Sequence, residues 1–199
     1  MKRPLFTFVL GILLLCCPAF GGDAVLPPDP IYIRITNGWK GFFARNEEFV
    51  EYSIKGSQVK LQDPYHVLFN PHLGLMITFA DIKPPGPGRS ILEEQRKSEL
   101  EYWRKRAKKV EFTDRRDLRG AREDLMVTKF DIYGQNANQF MDVYMISVAS
   151  KDGVYVLAIS PASKANEELI KSFIDSIKLI KKRFDPKEES AKIRMESTE

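Results

Sequence analysis

The sequence predicts an α+β domain, in which helices cover an antiparallel β-sheet. From Val110 onward, three hairpins follow one another, each made of two strand-like segments and a short turn. Two longer segments, 91–108 and 161–182, repeat apolar residues at the spacing of an amphipathic helix. Hydrophobic residues make up 43% of the 199 positions, which is enough to bury the core of one domain. A doubly wound parallel sheet is not expected, because parallel neighbours need crossover connections that hairpins do not supply.

Residues 1–21 have the layout of a secretory signal peptide. Two basic residues precede the apolar run 5–17, and small residues surround a cleavage site after Gly21. We therefore expect a protein exported to the periplasm or the outside of a bacterial envelope; an uncleaved N-terminal anchor is the alternative. Both cysteines, Cys16 and Cys17, lie in the apolar run, so cleavage leaves a mature chain without disulfides or thiol chemistry. No apolar stretch reaches the ~18 residues of a membrane span, so none is expected after cleavage.

The first half of the mature chain is predicted to consist mainly of extended segments. Residues 22–30 contain three prolines and predict a linker. Alternation of apolar and polar residues predicts a strand over 31–35. Further strands are expected at 49–54, 67–69 and 75–82. The last of them ends at a loop rich in proline and glycine, because proline cannot continue a strand.

A helix and the hairpins occupy the second half. Ser90 and Glu93 fit a capping box, which predicts the start of a helix over 91–108. The hairpin strands are expected at 110–113, 125–133, 140–150 and 154–160. The last of these strands is apolar on both faces, which favours a central position in the sheet. An apolar stripe predicts a final helix, and the polar tail 183–199 is expected to be disordered, so that 31–182 form the single domain.

The charge of the mature chain is almost balanced apart from one basic segment. The full sequence carries a net charge of +4, and loss of the two basic residues of the signal lowers it to +2. Between Arg104 and Asp124 there are nine basic and five acidic residues. A helix C-terminus followed by a solvated loop explains the segment without a function, whereas its functional interpretation is contact with lipid headgroups or an acidic protein. The side chains that we expect to contact such a partner are Arg115, Arg116, Arg119, Arg122 and the aromatic residues Phe42 and Phe43.

Motifs for catalysis, metals and cofactors are weak. The two histidines, His66 and His72, could supply ligands for a metal-dependent hydrolase, although their spacing fits no strong metal motif. The glycine- and proline-rich loop 86–90 lacks the Gly-Lys-Ser/Thr ending of a phosphate-binding loop. Phe112 is the single aromatic residue of the basic segment, whereas nucleic acid binding needs stacking aromatics among the bases. We therefore expect a protein without catalytic activity, cofactor, metal or nucleic acid partner.

The order of the predicted segments is similar to that of a known protein family. The opening strand runs into Gly-Trp over 31–39, and the apolar strand 75–82 is followed by the helix from Ser90. Further similar segments are the glycine turn 118–121, the strand 154–157 and the helix residues 171–173. Over nearly the whole mature domain this order resembles the PsbP-like (DcrB-like) family.

The resemblance implies an α-β-α sandwich with a central, mostly antiparallel sheet of about six strands. Members of the family include an extrinsic photosystem subunit, a nuclear-transport factor and bacterial envelope proteins, and they act mostly by binding. The resemblance therefore implies a non-catalytic envelope protein that binds a protein or a surface. The alternatives are a small-ligand carrier, with a pocket between helix and sheet, and the metal-dependent hydrolase centred on His66 and His72.

Overall fold

The computed structural model describes most of the chain that follows the linker. The described residues are 31–35, 38–45, 47–55, 59–63, 65–70, 73–83, 85–136 and 139–196. The predicted signal peptide (1–21), the linker (22–30) and His72 lie outside them.

Eleven strands and four helices make up the described residues. The strands are β1 (Ile31–Ile35), β2 (Gly38–Arg45), β3 (Glu48–Lys55), β4 (Lys60–Asp63), β5 (His66–Asn70), β6 (Leu73–Ala80), β7 (Lys109–Asp114), β8 (Leu125–Tyr133), β9 (Phe140–Ala149), β10 (Val154–Ser160) and β11 (Lys178–Ile180). The helices are α1 (Ile91–Arg104), α2 (Arg116–Arg119), α3 (Glu167–Ser176) and α4 (Pro186–Glu196), and the 3-10 turn Lys164–Asn166 precedes α3. The predicted bounds of β1, β8 and β10 are confirmed to the residue. None of these four helices is long and apolar enough to cross a membrane.

The strands form two sheets, and each pairing between described strands is antiparallel. The smaller sheet has the order β1-β2-β3-β11, and the larger has the order β4-β5-β6-β10-β9-β8-β7. The predicted antiparallel α+β class is therefore confirmed. The larger sheet has seven strands where a central sheet of about six was expected, and the second, four-stranded sheet was not predicted. Sequence reasoning missed β2 because buried residues follow one another on both of its faces. It missed β11 because the apolar residues around it continue the spacing of α3.

Four layers result from the way the sheets and helices bury their apolar faces. The helix α1 covers one face of the seven-stranded sheet. The four-stranded sheet and α3 pack on the opposite face, where the largest cluster of buried side chains lies. The helix α4 covers the outer face of the four-stranded sheet. Strand β10 lies between β6 and β9 and is buried along its whole length, which confirms its predicted central position.

A close contact joins β2 to β3 inside the core. Gly41 and Tyr52 are cross-strand partners, and the Tyr52 ring lies against Gly41 where a β-carbon would overlap it. Tyr52 is fully buried, and this burial raises the pKa of its hydroxyl well above the usual value. Glycine is required at position 41 because the ring occupies the space of a side chain.

The helix α1 attaches to the larger sheet through apolar side chains and one polar contact. Trp103 is 7% exposed, which confirms its predicted core position. The buried Gln95 side chain accepts a hydrogen bond from the Ser147 hydroxyl at 2.8 Å. The helix ends at Arg104, four residues earlier than predicted. Ser90 is its N-cap but makes no side-chain capping bond, so the predicted capping box is wrong.

The C-terminal segment differs from its prediction. The predicted last helix ends at Ser176, after which β11 pairs with β3. Beyond it, α4 lies where a disordered tail was expected, so that expectation is corrected over the described part of 183–199. Ile193 is 4% exposed, and the Phe184 ring lies 5.3 Å from that of Phe42. The tail contains few apolar residues, but these are the ones that cover the four-stranded sheet.

Candidate functional site

Arg115, a predicted contact residue, belongs to an internal ion-pair network. Its Nη1 donates to the hydroxyl of Tyr144 at 2.6 Å and to Glu167 Oε1 at 2.9 Å. Its Nε and Nη2 donate to the two carboxylate oxygens of Asp117 at 2.9 and 2.7 Å. Hydrogen bonds from the guanidinium lower the pKa of Asp117 and of Glu167, because they favour the charged carboxylates. Arg115 therefore ties the loop before β8 to α3.

The other three predicted arginines also have partners within the chain. Arg122 donates two hydrogen bonds to Asp124, at 3.0 and 2.6 Å, and a third to the carbonyl of Ile177 at 2.7 Å. Because that carbonyl follows the last turn of α3, the bond caps the helix end. Arg116 forms an ion pair at 3.0 Å with the aspartate two positions before it. Arg119 donates to a main-chain carbonyl at 3.4 Å. Much of the positive charge of this group is thus neutralised internally, and its contact with a partner stays a prediction from the sequence.

Phe42 and Phe43 are buried, with 1% and 0% exposure, so their prediction as exposed contact residues is wrong. They point to opposite faces of β2, and both faces are covered. The Phe43 ring meets the ring of Tyr155 at 5.8 Å in the core between the sheets. Phe42 lies beneath the C-terminal segment, between Phe49 and Phe184.

The predicted histidine site is not assembled within the described residues. His66 lies on β5 and is 8% exposed, and His72 is outside the described part. Among the residues that the structure describes, no group of three or more His, Cys, Asp or Glu side chains could hold a metal ion. The metal-dependent hydrolase therefore stays a prediction from the sequence.

The basic residues at the end of α1 behave differently from the arginines of the following loop. The helix ends at Arg104 with Lys105 as its C-cap, so Arg106 and Lys108 lie in the turn that leads to Lys109 at the start of β7. All five side chains are exposed. Lys109 forms an ion pair at 2.7 Å with a glutamate of the same strand. The other four have no carboxylate partner among the described residues.

Two exposed aromatic residues lie beside these bases. Lys109 is the cross-strand partner of Tyr133, and its Nζ lies 5.3 Å from the centre of that ring. Tyr133 in turn lies opposite Phe140 on β9, with the two ring centroids 5.1 Å apart. Tyr133 is 36% exposed and Phe140 is 50% exposed. On α1, the Arg106 guanidinium lies 3.7 Å from the ring centre of Tyr102.

We call this surface the basic–aromatic turn. Its members are Arg104, Lys105, Arg106, Lys108, Tyr133 and Phe140. Guanidinium and ammonium groups without an internal acid keep their hydrogen bonds available for an external anion. The adjacent rings add apolar contact area, and the tyrosine also keeps a polar hydroxyl. The turn can therefore bind a partner that is negatively charged and offers an apolar layer beside the charge.

A groove between α1 and β7 is a second surface feature of the larger sheet's edge. Its volume is about 380 Å³, and the Arg96 guanidinium lies 5.3 Å from the centre of the exposed Phe112 ring. The lining residues are Glu93, Glu94, Arg96, Lys97, Leu100 and Phe112. Two acids and two bases balance each other in this lining. Pockets for small ligands are lined mainly by apolar side chains, so the groove does not favour the small-ligand carrier.

The sequence analysis included the bases of the turn in the basic segment 104–124, but it did not single them out or join them to Tyr133 and Phe140, for two physical reasons. A helix predicted to reach residue 108 would explain the bases as residues that stabilise the negative end of the helix dipole. The helix instead ends at Arg104. Tyr133 and Phe140 stand at the ends of two strands, and only the hairpin register brings their rings together. The signal that could have revealed the site is the density of charge, with five bases in the six positions 104–109.

Comparison with known protein families, curated proteins and solved structures found no significant match. The likeness to the PsbP-like family therefore stays a prediction from the sequence.

Proposed function

We propose that the chain is a non-catalytic, exported envelope protein of the PsbP-like type that binds an anionic partner through the basic–aromatic turn. The observation that carries this proposal is the contrast between the two halves of the basic segment. In residues 115–122, three of four arginines form ion pairs with carboxylates of the same chain. In residues 104–108, four exposed bases have no such partner among the described residues. Charge that the fold itself does not use is available for a partner.

Two polar clusters of the described residues have structural roles, which supports a binding protein. Arg115, Tyr144 and Glu167 join the loop before β8 to α3. Gln95 and Ser147 join α1 to the larger sheet. Each cluster connects two elements that must stay together for the core to remain closed. The placement of α1 and α3 on opposite faces of one antiparallel sheet supports the proposed PsbP-like sandwich.

Neutralising the turn tests this proposal. The turn variant carries Arg104→Gln, Lys105→Gln, Arg106→Gln and Lys108→Gln. A control variant loses the same charge from exposed lysines on other elements, through Lys164→Gln, Lys178→Gln, Lys181→Gln and Lys187→Gln. We expect the turn variant to be released from purified envelopes, while the control variant stays bound like the wild type. Equal association of both variants, measured by quantitative immunoblotting of the envelope fraction, would contradict the proposal.

Export is tested separately from binding. The proposal expects cleavage after Gly21, so the N-terminus of the mature protein should begin at Gly22. Sequencing that N-terminus from the fractionated protein distinguishes cleavage from a retained anchor. Recovery of the intact chain in the cytosolic fraction would contradict the exported location.

A further inference from the structure

We propose that the anionic partner of the basic–aromatic turn is a lipid bilayer surface. The four bases of the turn contact headgroup phosphates, and Tyr133 and Phe140 insert at the boundary between headgroups and acyl chains. This inference rests on the proposed function, because it names the partner of the same surface. The expected partner is a membrane that contains anionic lipid. Binding to an acidic protein instead would give a different result in the vesicle assay.

The aromatic residues face away from the helix that covers the larger sheet. Ile132 and Met141 are the neighbours of Tyr133 and Phe140 in the strands, and both pack in the cluster beneath α1. Because successive side chains of a strand point to opposite faces, Tyr133 and Phe140 point to the other face. There, their exposure shows that the four-stranded sheet and α3 do not cover them. Aromatic rings in such exposed positions suit the interfacial layer of a membrane, where one side is apolar and the other wet.

The backbone fixes the bases next to these rings. The Lys108 amide donates to the carbonyl of Tyr133 at 2.8 Å, so the basic turn is hydrogen-bonded to the strand that carries the ring. Lys109 continues the connection as the cross-strand partner of Tyr133. Lys108 and Lys109 therefore lie at the same corner of the sheet as the rings, and Arg104, Lys105 and Arg106 directly precede them in the chain. Long lysine and arginine side chains at such a corner can reach headgroups while the rings go deeper.

The charge at this corner suits a fluid anionic surface. The acids near this corner are Glu101 of α1, Glu111, which pairs with Lys109, and Asp131 and Asp142, which lie in the same cross-strand row as Glu111. Asp131 pairs with Lys129. Six bases therefore stand near four acids, and the excess positive charge lies on the exposed side chains of residues 104–108. Each such base increases partitioning onto an anionic membrane by about fivefold near the surface. Mobile headgroups can rearrange to meet these side chains, so no preformed set of acceptors is needed.

The shape of the site favours a membrane over an acidic protein. Tyr133 and Phe140 end their strands at a hairpin whose turn residues Gln135 and Asn136 are also exposed. The groove at this edge is lined by other residues and contains acids as well as bases. Protein interfaces centre on aromatic anchors that fill pockets in the partner, surrounded by residues that exclude water. Exposed rings flanked by bases at a hairpin end match the arrangement of a peripheral membrane contact more closely.

Sedimentation with lipid vesicles tests the inference on the mature protein. We expect wild-type protein to bind vesicles that contain phosphatidylglycerol and to leave pure phosphatidylcholine vesicles unbound. The turn variant should bind the anionic vesicles at least about tenfold more weakly, whereas the control variant should match the wild type. Binding should also weaken as salt rises from about 0.05 to about 0.5 M, because salt screens the headgroup charge.

An aromatic variant separates insertion from charge. Phe140→Ser should lower partitioning by about tenfold, because less apolar area enters the membrane, while the salt dependence stays that of the wild type. The proposed lipid contact is overturned if wild-type protein binds both vesicle types equally or binds neither of them. It is also overturned if the turn variant or Phe140→Ser binds anionic vesicles as well as the wild type does. Wild-type protein that binds intact envelopes through the turn but no vesicles would identify an acidic protein partner; the lipid inference then fails and the proposed function stands. A turn variant that keeps both envelope and vesicle binding overturns both proposals.

Discussion

We predict that Glu99, on the sheet-facing side of α1, makes the free energy of unfolding dependent on pH. It lies one helical turn after the buried Gln95 and one turn before the buried Trp103, so it faces the sheet. The Gln95 amide approaches its carboxylate at 3.5 Å. Burial raises the pKa of Glu99 from 4.5 to about 7, because the charged form loses solvation. Replacing Glu99 with glutamine removes this titration and keeps the shape of the side chain.

The sign of the effect follows from proton binding in the two states. In the unfolded chain Glu99 ionises near its ordinary pKa of 4.5, whereas the folded protein keeps the proton up to about pH 7. Between these values the folded state binds more protons, so the free energy of unfolding falls as pH rises. At ~1.4 kcal/mol for each pKa unit, the loss amounts to at most about 3 kcal/mol and is complete above the folded-state pKa.

Urea unfolding of wild type and Glu99→Gln measures the difference. At about pH 4 the two proteins should have similar free energies of unfolding, because the group is protonated in both states. At about pH 8 the variant should be more stable by up to about 3 kcal/mol. The exposed Glu101 on the same helix provides the control, since Glu101→Gln should change stability by less than about 0.5 kcal/mol at either pH. A Glu99→Gln difference that is the same at both pH values would refute the reasoning.

Two further predictions concern internal contacts. Gly41→Ala should destabilise the fold by about 1–3 kcal/mol in urea unfolding, because the new methyl group overlaps the Tyr52 ring. Gly86→Ala, with open space around it, should have little effect, and equal losses at both sites would count against this packing. Arg115→Gln should cost about 1–3 kcal/mol, because it leaves partly buried partners without their hydrogen bonds. Arg116→Gln, whose side chain is 78% exposed, should stay within about 0.5 kcal/mol of wild type. Similar effects for the two arginines would show that Arg115 does not hold the loop in place.

Local sequence pattern was sufficient for most strands of the larger sheet, although β4 was not predicted. β8 and β10 were predicted to the residue because their apolar side chains follow the strand pattern and glycine turns bound them. β11 was missed because Ile177 and Ile180 stand at helical spacing from the apolar residues of α3. What selects the extended form there is pairing with Phe49 to Glu51 on β3, more than 100 positions earlier in the chain. Sequence periodicity carries no information about that pairing.

The surface proposed to bind a partner was harder to predict than the fold. The ion pairs of Arg115, Arg116 and Arg122 with aspartates two positions away lie within local reach in the sequence. The second acidic partner of Arg115 is Glu167, which lies 52 positions away and is brought near only by the fold. The exposure of a side chain also depends on parts of the chain that are distant in the sequence. Phe42 lies among charged residues and resembles a surface aromatic, but α4 and the segment before it cover the site. Phe140 begins a strand that is mostly buried, and it is 50% exposed because no described part of the chain covers that end of the strand.

Photo-cross-linking in the native envelope tests the central claim most directly. A benzoylphenylalanine at position 140 keeps an aromatic ring in the basic–aromatic turn. The same group at Leu61, which is 48% exposed on β4 at the opposite edge of the larger sheet, provides the control. We predict abundant adducts with envelope components from position 140 and few from position 61. Adducts from position 61 alone, or equal yields from both positions, would contradict the assignment of the turn as the binding surface.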